Sequence, residues 1–388
     1  MQKNAAYIMT KVIFVNKFRS MKNNKKAIAM PPVWVYTVIS SLRNFLKKLY
    51  YQFVPANMAV FEKTQGIWIA KAIGVACELN LAEIIGNEKK TVDEIAKQSN
   101  TNSSALYRLL RALASEGVFK EVSPGMFMNS NFSNTLIEGE GNLKNMIMHQ
   151  MNETNWLVVN ELKYSITSGT NAAQKLLGSD IFTHLENTPE KNELYNKAMT
   201  ETSRLSSVSI VSAYAFNGIE TLADIGGGEG MLLCTILQKN QSINGILFDL
   251  PHVVKTADKI VKKFGLEDRV QIVPGSFFEH TIPKADSYLL KNILHAFDDE
   301  TCIQLLKSIG KSIIGKGKIL LVETVIGEDN KAAFGKMLDL QMLIATERGK
   351  ERTETEFSNI FEAAGFKLSR VVKTVSPFCV IEGIKIKS

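Results

Sequence analysis

Three alternating glycines, Gly226, Gly228 and Gly230, follow Asp224 in the segment Asp224-Ile225-Gly226-Gly227-Gly228-Glu229-Gly230, between a short apolar run and a helix-like stretch from Met231. Glycines at the turn from a strand into a helix let backbone amides approach a ligand closely, and in open α/β sheets this turn is where the ligand binds. A dinucleotide fingerprint begins in the same way but asks for another glycine at position 231, where the chain has Met231. The G-x-G-x-G spacing therefore favours S-adenosyl-L-methionine over NAD. Asp249 stands nineteen residues after Gly230, at the end of the next strand-like run. A carboxylate there can accept hydrogen bonds from both hydroxyls of a ribose, or it can cap a helix opening at Pro251. It supports an adenosine ligand without choosing between the two cofactors.

His295 is the one histidine of five that follows a strand on this edge, in Leu290-Lys291-Asn292-Ile293-Leu294-His295. Glu323 ends the next strand and Glu351 lies in the loop Gly349-Lys350-Glu351-Arg352-Thr353. Both should project at the same carboxyl edge, and a carboxylate beside an imidazole fixes its tautomer and raises its basicity. The set suits proton abstraction from a hydroxyl. No histidine and carboxylate cluster has ligand spacing along the chain, so no metal is expected.

The elements that must position these residues are short β-branched strands alternating with helices: 222–225, 245–250, 270–273, 287–292 and 318–325. This alternation predicts a parallel sheet with helices on both faces. A helix over 354–364 and strands over 367–375 and 378–387, joined by a Ser376-Pro377 turn, predict an antiparallel hairpin at the sheet edge and seven strands in all. Upstream, residues 60–85 read as helix, Thr91 and Glu94 as a capping box, and Asn102 or Ser103 as the cap of a helix stopped by Gly117. A hairpin over 118–128, split at Ser123-Pro124-Gly125, completes a winged-helix arrangement. Residues 135–220 read as helical, and among them Met146, Met148, Met151, Trp156, Phe182, Tyr195 and Met199 could line an apolar pocket, with His149 touching a substrate, although such stripes are more often core.

At 388 residues and 45% hydrophobic, the chain can form two ordinary domains. Residues 1–50 carry ten Lys or Arg and no Asp or Glu, so against a total of +7 the remainder sits at about −3. The basic character belongs to an extension and not to the body. An amphipathic helix over 35–51 is expected to cover a partner subunit, with an anionic membrane surface as the less favoured alternative. Its apolar run is broken by Arg43, Lys47 and Lys48, too early for a span or a signal peptide. The four scattered cysteines suit a reduced, cytoplasmic setting. Arg108 and Arg111 on the would-be recognition helix raise a DNA-binding reading, but phosphate binding usually recruits roughly six or more basic contacts, and no nucleic acid is expected.

Taken together the segments resemble the S-adenosylmethionine-dependent O-methyltransferase family that includes plant caffeate and flavonoid enzymes, the animal hydroxyindole enzyme and bacterial natural-product enzymes. The resemblance runs from about Pro55 to the C-terminus and is most specific in 105–119 (ALYRLLRALASEGVF), 195–203 (YNKAMTETS), the glycine loop, 248–253 (FDLPHV), 291–295 and 349–357 (GKERTETEF). It implies a Rossmann-like, mostly parallel seven-stranded sheet over 201–388, a winged-helix dimerisation domain over 55–200, and an extension over 1–54. It implies that His295 is a general base flanked by Glu323 and Glu351, and that Asp224, Gly226, Gly228, Asp249, Leu250, Ser276, Phe277, Lys291 and Ser203 hold the cofactor. Met199 and Met342 would flank a small hydroxylated aromatic acceptor, and the enzyme would be a homodimer. Two positions depart from the family pattern: Ser276 stands for an aspartate, and Ala296-Phe297 for the Asp-Trp that plant members carry. Members that hydroxylate, decarboxylate or run pericyclic reactions give a second reading, against which the intact His295, Glu323 and Glu351 argue. A winged-helix regulator is a third.

Overall fold

The computed structural model describes residues 33–330 and 333–386. Seven strands make the main sheet: β4 (Thr221–Ile225), β5 (Asn244–Asp249), β6 (Val270–Pro274), β7 (Ala285–Lys291), β8 (Ile313–Thr324), β9 (Phe366–Lys373) and β10 (Phe378–Lys385). Three shorter strands, β1 (Lys90–Thr91), β2 (Phe119–Ser123) and β3 (Met126–Asn129), belong to a separate sheet in the order β1-β3-β2. The main sheet runs β6-β5-β4-β7-β8-β10-β9. β6, β5, β4, β7 and β8 pair in parallel, while β10 is antiparallel to both β8 and β9. The order reverses between β4 and β7, and the crevice at the carboxyl ends of these strands is where such sheets take ligands.

Period-two burial builds the two faces. Leu222, Leu247, Leu289, Leu320 and Val322 enter one apolar cluster with the helices Met231–Lys239 and Ala257–Lys263. Their strand neighbours Ala223, Ile246, Phe248, Tyr288, Leu290, Ile319 and Leu321 enter a second cluster with the helices Asp299–Ser312 and Glu354–Ala363. Successive side chains of a strand point to opposite faces, so a strand buried on both reads as one continuous apolar run.

The expected winged-helix order is present. Thr91 and Glu94 close a capping box on the helix Val92–Ser99, and Asn102 accepts a 2.9 Å bond from Ala105 N to open Ser103–Ser115. The hairpin β2–β3 follows. Arg111 stacks over Tyr107 with 5.4 Å to the ring centroid, an intramolecular use of that arginine. The helix Pro189–Ala213 runs without a break through residue 200, where the sequence had been divided. On it the buried Glu201 accepts bonds from Asn145 and Met146 at the start of the helix Lys144–Met151, from Asn145 Nδ2 at 2.7 Å and Met146 N at 3.0 Å. A carboxylate is favoured at a helix N-terminus, where it meets unpaired N–H groups. No described helix is long and apolar enough to cross a membrane.

Candidate active site

The glycine loop leaves β4 with Gly226, Gly228 and Gly230 at φ of 68°, 61° and 84°, a left-handed backbone that L side chains rarely adopt. A Cβ on Gly227 would stand 2.5 Å from Leu247 and 2.7 Å from Asp224, whereas one on Gly228 would meet no protein atom, its space being part of the cavity. Asp249 accepts from Gly228 N on one oxygen and Leu250 N on the other, both at 2.7 Å. Each carboxylate oxygen keeps a second lone pair for a ligand. Glu229 ties the loop to two helices, accepting from Thr200 at 2.7 Å and Thr256 at 2.6 Å.

Over this loop lies a cavity of about 480 Å³. All nine residues expected at the cofactor line it, as does Met199. Burial, with Asp249 close by, pushes the Asp224 carboxyl up to about 7, and burial pushes the Lys291 ammonium down to about 8 against the pull of Glu323 and Asp224. A cationic, hydroxyl-bearing ligand fits such a floor: it meets carboxylates of Asp224 and Asp249 and a loop with nothing beyond the backbone.

His295 sits on a single turn of 3-10 helix, Leu294–Ala296, reached through Asn292 at φ 55°. Its Nδ1 lies 2.8 Å from Glu351 Oε1 and 3.9 Å from Glu323 Oε2. A carboxylate only accepts, so Nδ1 carries the hydrogen and Nε2 keeps a free lone pair. Burial disfavours a charged ring, but the charges of Glu323 and Glu351 and the hydrogen bond to Glu351 outweigh it and raise the imidazole above its ordinary 6.5. Glu323 Oε1 accepts from Ile293 N and Leu294 N, each at 2.9 Å, while its Oε2 is buried with no hydrogen-bond partner among the described residues. Glu351 also accepts from the Thr324 hydroxyl, and its own N–H donates to Asp339 at 2.8 Å. One donor atom each from His295, Glu323 and Glu351 lie within 4.8 Å of one another. The expectation that no such cluster has ligand spacing held along the chain but not in space, because residues 28 and 56 apart converge at one sheet edge.

His295, Glu323 and Glu351 are not themselves among the residues that line the cavity, but the chain neighbours Ile293, Ala296 and Phe297 are, together with Thr346. Met342, Met148, His149 and Trp156 are not among its lining residues. Met148 packs on the winged-helix core, His149 stacks edge-on against Tyr195 with centroids 5.2 Å apart, and the buried Trp156 N–H has no hydrogen-bond partner among the described residues. Met342 gives its carbonyl to Thr346 N and Oγ1 at the end of its helix. Helical period alone did not say which face turns inward.

The structure adds residues that the sequence reading passed over. Arg352, fully buried, donates to Leu294 O and Phe297 O, each at 2.7 Å, and to Asp299 at 2.9 Å, so one guanidinium holds both flanks of the His295 turn. Its signal was its place beside Glu351. Of the methionines and aromatics that could line a pocket, Phe182, Tyr195 and Met199 do line the cavity, with Asp180 beside them, while Met146 and Met151 do not.

The O-methyltransferase domain model matches residues 159–367 and the O-methyltransferase dimerisation domain model residues 61–139. The phenazine O-methyltransferase PhzM of Lysobacter antibioticus is 33% identical over 85% of this chain and 96% of that protein. A mitomycin biosynthesis 6-O-methyltransferase of Streptomyces lavendulae is 31% identical over 81% of this chain and 90% of its own. A crystal structure of LaPhzM, 32% identical, superposes with a TM-score of 0.82 over 86% of this chain and 100% of that one.

Proposed function

The chain belongs to the S-adenosylmethionine-dependent O-methyltransferase family, and from that premise we propose that it methylates a hydroxyl of a flat, mostly apolar aromatic metabolite, with His295 as the base. The observation that carries this reading is the His295–Glu351 pair at 2.8 Å, buried beside the cavity over the glycine loop. S-adenosylmethionine, when bound, supplies an electrophilic methyl group. Asp249, the Gly228 amide, Asp224, Ser203, Leu250, Ser276, Phe277 and Lys291 would hold it, and the three left-handed glycines leave the room it needs.

His295 Nε2 takes the proton of the acceptor hydroxyl as its oxygen becomes the nucleophile. The imidazolium so formed is held by Glu351 through Nδ1–H and by the unpartnered oxygen of Glu323 at 3.9 Å. A charge created inside a dry site is stabilised most by groups already fixed in place. Phe277, Phe297, Ile293 and Met199 give the apolar walls that suit a planar ring, and the phenazine in the name of the relative with 33% identity points to the same class. The dimerisation domain at 61–139 supports a homodimer, and free Cys77, Cys234, Cys302 and Cys379 suit a reducing, cytoplasmic setting.

General-base assistance is worth about 10²–10⁴ in rate. His295→Gln should lower methyl transfer to a panel of phenols by that factor while calorimetry shows S-adenosylhomocysteine bound as in the wild type. Turnover that survives the change would remove His295 from the mechanism.

A further inference from the structure

The helix Val33–Gln52 buries none of its residues. Its apolar positions Val35, Val38, Ile39, Leu42, Phe45 and Leu46 recur three and four apart and so share one face. On it Phe45 is 60% and Leu46 53% exposed, and Trp34 at the helix start is 65% exposed. The same helix holds Arg43, Lys47 and Lys48 and no acidic residue, and the 32 residues before it add seven Lys or Arg with no Asp or Glu. It lies ahead of residue 61, where the dimerisation match begins.

We propose that this helix, with the basic segment before it, docks the enzyme on an anionic lipid surface. Three cations interrupt the helix too often for it to span a bilayer, and no described helix qualifies to do so. An amphipathic helix with a basic flank lies in the interface instead, its apolar face among the acyl chains and its cations against the headgroups. A weak apolar anchor becomes a stable one when a polybasic signal is added to it, and both are present here in one stretch. A second copy fits less well. A two-fold contact would set two acid-free basic helices against each other, and like charges across an interface oppose pairing. A nucleic acid would use the cations and leave the apolar face uncovered.

The test is co-sedimentation of the full chain with vesicles of phosphatidylcholine alone and with phosphatidylglycerol added. The wild type should pellet with the anionic vesicles and stay in the supernatant with the neutral ones. Neutralising two cations in Lys47→Gln/Lys48→Gln should weaken binding about thirtyfold, from roughly fivefold per charge near the surface. Phe45→Glu should abolish pelleting while methyl transfer in solution and the mass by sedimentation velocity stay as in the wild type. Equal pelleting with both vesicles, or with neither, overturns the proposal. So does a Phe45→Glu protein of half the wild-type mass, which would give the face to a second copy.

Discussion

The carboxyl edge of the large sheet and the first two helices break the rule of apolar inside and charged outside in opposite directions. At the sheet edge Asp224, Glu323, Glu351 and Arg352 are enclosed. In the helices Val33–Gln52 and Ala56–Glu78, Trp34, Phe45, Phe61 and Trp68 lie open. Lone exposed apolar residues mean little, but enclosed charges and a continuous apolar face are informative. An enclosed charge persists only when neighbouring groups compensate it, so it points inward to chemistry. An uncovered apolar face points outward to whatever covers it.

If the enclosed charges form one interlocked set, its clamp should matter most. Arg352→Met would take the charged donor from the Leu294 and Phe297 carbonyls, leaving Leu294 O only Phe297 N at 3.2 Å and the Cys302 thiol at 3.3 Å, and roughly 3–5 kcal/mol of stability should vanish in urea unfolding. A loss below about 1 kcal/mol would detach Arg352 from the set. Gly228→Ala has no protein atom to strike, so the fold should lose only the ~1–2 kcal/mol of left-handed strain. Calorimetric titration should nevertheless show weaker S-adenosylhomocysteine binding, and unchanged affinity would move the ligand off the loop.

The pH profile sharpens the same region. A base must be unprotonated, so turnover falls as pH drops through the His295 pKa, which lies above 6.5. Glu351→Gln removes one of the groups that favour the charged ring, and the acid limb of kcat/KM should shift to lower pH; a shift upward would contradict the assigned pairing. On the outward-facing region the effect should be smallest. Phe45→Glu touches no buried contact and should change the unfolding free energy by within about 0.5 kcal/mol.

Much of the sheet could be read from the chain because strands buried on both faces are short, mainly apolar runs closed by Gly, Pro or Asp, as in 222–225 and 245–250. Residues at strand ends inherit their direction from the strand, which is why Asp249, His295 and Glu323 could be grouped. What stayed hidden depends on packing between distant segments. Glu351 reaches His295 because Val325 and Arg352 bridge in parallel at the end of β8. Nothing in the spacing of these methionines and aromatics tells which neighbour each helix meets, so Phe182, Tyr195 and Met199, which line the cavity, could not be told apart from Met148, His149 and Trp156, which do not.

The helix Pro189–Ala213 carries a further consequence. Within five residues it offers Met199, Thr200 and Ser203 to the cavity and Glu201 to the helix Lys144–Met151. Each residue turns an α-helix by about 100°. Inserting or deleting one residue between 190 and 199 would therefore rotate everything after it, carrying Glu201 away from its helix terminus and changing which side chains face the ligand. This stretch should accept many substitutions but hardly any change of length.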